Sequence, residues 1–112
     1  MSPTDLYSAT LSALTDARAQ MLSPAWQAEL DKLTADQRLT ASKALLRVEQ
    51  AILVLSNAAL SDIAGAMQAN EQGLTSATAS LEDALKDITK VQDIIQTITT
   101  ALNVVGKILP LL

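Results

Sequence analysis

The stretch that decides the fold is residues 39–109, which read LTASKALLRVEQAILVLSNAALSDIAGAMQANEQGLTSATASLEDALKDITKVQDIIQTITTALNVVGKIL. Every seventh residue of this stretch is a large aliphatic, in one unbroken register: Leu39, Leu46, Leu53, Leu60, Met67, Leu74, Leu81, Ile88, Ile95, Leu102 and Leu109. We call this series the heptad stripe. Because a spacing of seven returns a helical side chain to nearly the same face, the stripe predicts long helices whose apolar face must be covered.

The composition fits one aliphatic helical domain spanning residues 1–112. Apolar residues make up 49% of the chain, which is well above the level typical of disorder. The only aromatic residues are Tyr7 and Trp26, so the core must be aliphatic, which suits closely packed helices. The net charge of −4 argues against general nucleic-acid binding, since phosphate contacts need clustered Lys and Arg.

The residue types that support most catalysis are missing. The chain has no Cys and no His, which removes thiolate chemistry, the usual general base near neutral pH and the usual nitrogen ligand for metals. The carboxylates are scattered, and the pair Asp83 and Asp87 falls on a polar helical face that we interpret as solvated. We therefore predict a non-enzyme, with no catalytic, cofactor-binding or metal site.

Capping signals divide the chain into four predicted helices. Ser2-Pro3 and Ser23-Pro24 are typical helix starts, and Thr34 followed by Gln37 has the form of a capping box. These signals predict helices over about 3–22, 24–33 and 35–70. Gly73 favours a left-handed helix end, after which a fourth helix is expected to begin between 75 and 81 and to run to about 109.

The predicted fold is all-α: an antiparallel hairpin of two long helices, with one or two shorter N-terminal helices, forming a small bundle. Each arm of the hairpin would be about 50 Å long. The heptad stripe keeps its phase through Gly73, which leaves open one continuous rod of about 110 Å. Whether residues 70–80 turn or continue is therefore an open alternative, and the low charged fraction of 18% favours the hairpin.

The last predicted helix carries the strongest packing pattern. A second aliphatic stripe accompanies the first at a spacing of three, and the apolar face broadens from Ile94 onward. We expect the distal half of this helix to bind a partner, and the predicted interaction residues are Ile94, Ile95, Ile98, Leu102, Val105, Ile108, Leu109 and Leu112.

The third predicted helix lacks that second stripe, because Ser42, Glu49 and Ser56 occupy the corresponding positions. Glu49 falls inside the calculated apolar arc, where an ionised carboxylate needs a partner. One interpretation is a polar inclusion that fixes register or oligomeric state, paired with a lysine across the interface. The other is that the helix is open there and Glu49 reaches solvent.

Two smaller features have ordinary structural interpretations. Arg38, Lys43 and Arg47 form a basic cluster that we expect to be a solvated face. Trp26, the one tryptophan, is expected to cap the base of the bundle.

The sequence is compatible with two functions. The first is a non-catalytic helical module for protein–protein interaction or self-assembly, with a homo-oligomer or another protein as partner and no nucleic acid. The alternative is a membrane-active amphipathic protein, since residues 94–112 carry a single charge, Lys107. The N-terminus lacks a basic start followed by an apolar run, so no secretory signal is predicted and the expected location is cytoplasmic or reached by non-classical export.

Overall fold

The computed structural model describes residues 2–109, which fold into an all-helical bundle. The helices are α1 (Pro3–Met21), α2 (Pro24–Leu30), α3 (Ala35–Asn57), α4 (Leu60–Ala69), α5 (Glu71–Ala84) and α6 (Val91–Val105). The predicted all-α class and small bundle are confirmed. Each of the two long helices expected from the sequence is divided into two.

The first three helices begin where their capping residues predict. Ser2 and Ser23 each accept a backbone N–H from three residues further on, at 3.1 and 3.2 Å. Thr34 Oγ1 accepts the Gln37 N–H at 3.2 Å, and Gln37 Oε1 accepts the Thr34 N–H at 3.0 Å, which completes the capping box. Helix α2 ends at Leu30, three residues before the end expected from the sequence.

The predicted helix over 35–70 is broken in the middle. Ala58 and Ala59 have extended backbone, with ψ of 138° and 127°, and α4 leaves α3 at an angle of 119°. Alanine is the best helix former, so the local sequence does not predict a break at Ala58 and Ala59. Its cause is tertiary: the bend lays α4 across the end of the bundle, where Ile63 and Met67 are buried and α4 packs on α1.

Side chains add hydrogen bonds to carbonyl groups at the end of α3, where the Ala58 N–H also donates to the Leu55 carbonyl at 3.2 Å. Asn57 Nδ2 donates to the Leu53 carbonyl at 2.9 Å. The Tyr7 hydroxyl, from α1, donates to the Leu55 carbonyl at 3.1 Å. A helix end needs such partners, because its last carbonyl groups have none within the helix. The Tyr7 bond also places the start of α1 beside the end of α3, so the two helices are antiparallel.

The predicted fourth helix, over 75–109, begins earlier and is also divided. Helix α5 starts at Glu71, directly after the junction residue Asn70, and Gly73 lies inside it. No residue in the described range 2–109 has a positive φ, so the expected left-handed end at Gly73 is wrong. A Cβ on Gly73 would lie 3.5 Å from Val104 Cγ1, which shows that this glycine faces α6 at close range.

A turn over residues 85–90 separates α5 from α6. Asp87 Oδ1 accepts the Thr89 hydroxyl at 2.6 Å and the Thr89 N–H at 3.2 Å. An aspartate that bonds its own backbone two residues on competes with helix, and β-branched Ile88 and Thr89 lower helix propensity further. The hydrogen bonds from Thr89 also lower the pKa of Asp87. The chain reverses here, so α5 and α6 form an antiparallel hairpin.

Four helices form the body of the bundle. Going around it, α1 packs on α3, α3 on α6, α6 on α5 and α5 on α1, so α3 and α5 lie diagonally opposite. Helix α4 connects α3 to α5 across one end of the bundle. Helix α2 packs against α1 and α6. The described chain measures 43 × 24 × 18 Å.

The core is aliphatic, as the composition predicts. Met67, Leu74, Leu81, Leu102 and Leu109 of the heptad stripe are at most 2% exposed. Trp26 is 2% exposed on α2, which agrees with its expected capping role.

Candidate interaction surface on helix α3

The first part of the heptad stripe faces solvent. Leu39, Leu46 and Leu53 are 54%, 66% and 63% exposed. The face of α3 that enters the core is made of other residues: Ala41, Ala44, Val48, Ala51, Ile52 and Leu55. Val48 is nine residues from Leu39, which at about 100° per residue is the opposite side of the helix. The expectation that this part of the stripe is covered is therefore wrong for the single chain.

The physical reason is that α3 is apolar on two opposite faces. One face is rich in alanine and the other carries large leucines. Small side chains let two helix axes approach closely, and α3 packs on α1, whose buried residues include Ala13 and Ala17. The opposite face, which carries Leu39, Leu46 and Leu53, is therefore exposed to solvent.

A fourth exposed leucine lies next to this row. Leu22, at the C-terminal end of α1, is 61% exposed. Together with Arg18 it forms one wall of an open groove whose other wall includes Leu46 and Leu53. We call Leu22, Leu39, Leu46 and Leu53 the leucine face. Among residues 2–109 these four are all of the large hydrophobic side chains that are exposed.

Glu49 lines the same groove and is exposed. Ser42 and Ser56, one heptad to either side, are exposed as well. Of the two interpretations of Glu49 drawn from the sequence, the structure agrees with the solvent-exposed one. In the single chain, Glu49 therefore does not form a polar inclusion in the core.

The charges around the leucine face are mostly positive. Arg38, Lys43 and Arg47 are exposed, as expected for a solvated basic cluster. Between residues 38 and 57 the one acidic residue is Glu49, so this part of α3 carries a net charge of +2 in a chain of net charge −4. Half-buried Arg18 adds a further positive charge at the groove wall.

The interaction residues predicted in the last helix lie in the core instead. The seven that the structure describes are at most 6% exposed: Ile94, Ile95, Ile98, Leu102, Val105, Ile108 and Leu109. Leu112 lies outside the described residues. Helix α6 meets three neighbours, but these are α5, α3 and α2 of the same chain. In the single chain, these seven residues are therefore not available to a partner.

The sequence does hold a signal for the exposed row. In α6 both aliphatic stripes are complete, whereas in α3 polar residues fill the second stripe at Ser42, Glu49 and Ser56. In this chain, the stripe that lacks its companion is the one that faces solvent.

A pair of acidic residues lies in a second cleft, between α1 and α5. Asp16 and Glu82 line a cleft together with Leu85 and Lys86. Partial burial raises the pKa of Glu82, and the hydrogen bond and negative charge of Asp16 raise it further. A raised carboxyl pKa means that the folded chain favours the neutral form of Glu82.

Glu82→Gln is therefore expected to stabilise the protein at neutral pH. The ionised carboxylate is unfavourable beside Asp16, so its removal should raise the free energy of unfolding at pH 7 by a few tenths of a kcal/mol, on the order of an exposed charge pair. As the pH falls through the raised pKa, wild-type Glu82 takes up a proton and the advantage of the variant disappears. Urea unfolding at neutral pH and at about pH 4 measures both effects.

The neighbouring substitution Asp83→Asn is the matched control. Asp83 lies 3.7 Å from Lys86 and is highly exposed, so the loss of its charge should give no gain at neutral pH. A lower stability of Glu82→Gln than of wild type at pH 7 would contradict the assigned effect of Asp16.

Membrane-spanning helices and acidic metal-binding clusters are two other features that would indicate a function. Within residues 2–109 no single helix is long and apolar enough to cross a membrane, and the one pair of helices that passes this test together is α3 with α4, bent by 119°. The same range holds no group of three or more acidic side chains arranged to bind a metal ion. No family model, no curated protein and no solved structure matches this chain.

Proposed function

We propose that this protein is a non-catalytic helical module that binds a helical segment of another protein through the leucine face. The observation that carries the proposal is that three of the four exposed large hydrophobic side chains of the described chain, Leu22, Leu46 and Leu53, line one groove. The fourth, Leu39, lies one heptad before Leu46 on α3. Single exposed leucines are normal on a soluble protein, whereas a contiguous apolar patch with a polar rim is typical of a binding site.

The spacing of the leucines suits a helix as the bound element. Leu39, Leu46 and Leu53 repeat every seven residues, which places them about 10 Å apart along α3. A helix laid alongside α3, with its own apolar residues at the same spacing, meets all of them. Leu22 provides a second wall, so the bound helix would rest in a groove between α1 and α3.

Glu49 favours a protein partner over a lipid surface. Its carboxylate lies in the groove beside Leu46 and Leu53. Insertion of these leucines into a bilayer would carry the charge toward the hydrocarbon, where it is costly. A protein partner can offer Glu49 a hydrogen-bond donor or a cation.

The test is a titration of isotope-labelled protein with designed peptides that form amphipathic helices with leucine at every seventh position. We expect the NMR signals of α3 and of Leu22 to shift. Leu46→Asp with Leu53→Asp should abolish the shifts without unfolding the chain, because both positions are exposed. The matched control is Gln92→Asp with Gln96→Asp on the exposed side of α6, which should bind as wild type does. Absence of any shift in α3, or equal loss of binding in the control, would overturn the proposal.

A further inference from the structure

We infer that the helix bound by the leucine face is acidic along the flank that meets Lys43 and Arg47. The inference rests on the function proposed above and names the chemistry of its partner. It follows from where the charges lie around the leucines and from what else those charges contact.

The two flanks of the leucine row differ in charge. Glu49 lines the groove toward α1, whereas Lys43 and Arg47 do not line it. Lys43 and Arg47 are four residues apart, which puts them on one side of the helix, and stepping about 100° per residue places that side across the row from Glu49. A helix seated on the leucines therefore has Lys43 and Arg47 on one flank. On the other flank, Glu49 lies together with Arg18, so the charges there offset each other.

Both cations are available to a partner. Lys43 and Arg47 are exposed, and within residues 2–109 neither forms an ion pair. Ion pairs at the rim of an interface contribute little to affinity, but they discriminate between partners of opposite charge, because like charges repel. Carboxylates on the bound helix would pair with these two side chains, whereas lysines at the same positions would be rejected.

A second copy of the chain fits the surface less well. In a two-fold antiparallel pair of α3 helices the same flank of each copy comes together, so Lys43 and Arg47 of one copy would face those of the other. The helix is 23 residues long, and a strip about 35 Å by 10 Å offers some 350 Å² per copy, well below the roughly 800 Å² of a standard interface. The small area favours a transient complex, and the charge favours a different, acidic helix over a second copy.

The test compares designed peptides that share leucines at every seventh position and differ only in their flanking residues, which are Glu, Gln or Lys. We expect the Glu peptide to bind about tenfold more tightly than the Lys peptide at low salt, with the Gln peptide between them. The preference should shrink as ionic strength rises, because exposed charges are screened. Lys43→Glu with Arg47→Glu should reverse the order.

Each other outcome has a definite meaning. Equal binding of the peptides by wild type, or an unchanged order in the charge-reversed variant, overturns this inference while the proposed function stands. If no peptide binds, this inference and the proposed function are both overturned. If α3 signals respond only to vesicles of mixed phosphatidylcholine and phosphatidylserine, or only to protein concentration, then a lipid surface or a second copy replaces the acidic helix, and both proposals are overturned.

Discussion

Leu102→Ala is expected to lower the free energy of unfolding by about 3 kcal/mol, whereas Leu46→Ala should lower it by less than about 0.5 kcal/mol. Both leucines belong to the heptad stripe and undergo the same substitution. Leu102 is 2% exposed and packed within the bundle, so its removal leaves a cavity, while Leu46 is 66% exposed. The comparison isolates burial from residue type.

Denaturant unfolding of the two variants and the wild type, followed by circular dichroism, measures this difference. In a domain of this size a loss of about 3 kcal/mol corresponds to a fall in Tm of more than 10 °C. Comparable losses at positions 46 and 102 would mean that the leucine face is covered in solution and would contradict the described fold of α3.

Ala17→Leu is expected to destabilise the protein by about 3 kcal/mol, because it overfills the place where α1 meets its neighbours. Ala17 has 0% exposure, on a helix that packs against α3, α4 and α5. A leucine adds three carbon atoms at a position with no exposed surface, so we expect the helices to separate. Closely packed interiors resist such insertions.

The matched control is Ala19→Leu, two residues along the same helix at an exposed position. The two variants have the same composition, so a difference in Tm between them reports packing alone. Equal stability of both variants would show that α1 is not held tightly at its centre, contrary to the burial of Ala17.

The features that the sequence predicts well are those determined locally. The starts of α1, α2 and α3 are confirmed because Ser2, Ser23 and Thr34 bond to backbone N–H groups within their own first turn. The all-α class is confirmed for a related reason: the helical period runs through the whole of residues 39–109, and a repeated pattern outweighs local irregularities.

The break between α3 and α4 has no local signal in the sequence, unlike the turn over residues 85–90, where Asp87 bonds Thr89. Ala58 and Ala59 favour helix, and the chain bends there because α4 gains burial on α1 and Tyr7 supplies a partner for the Leu55 carbonyl. These contacts join segments distant in sequence. At Gly73 the sequence suggests a helix end, yet the residue lies inside α5, where a Cβ would make an ordinary van der Waals contact with Val104 of α6.

The interaction residues expected in the last helix lie in the core of the single chain for a physical reason. Hydrophobicity indicates that a face needs cover but does not say which neighbour covers it. Helix α6 is covered within the chain by α5, α3 and α2, whereas the row containing Leu46 is left open because α3 uses its alanine side for the core. Choosing between the two faces requires the distance between helices, which the sequence does not give.

The order of the helices around the bundle also bears on how the chain folds. Helices α5 and α6 are neighbours in sequence and pack on each other after a turn of only six residues, so little chain entropy is lost when they pair. The contact of α1 with α5 closes a loop of about fifty residues or more and is entropically the more expensive one. The topology therefore favours early formation of the α5–α6 hairpin, with α1 docking later as the element that joins the two halves of the molecule.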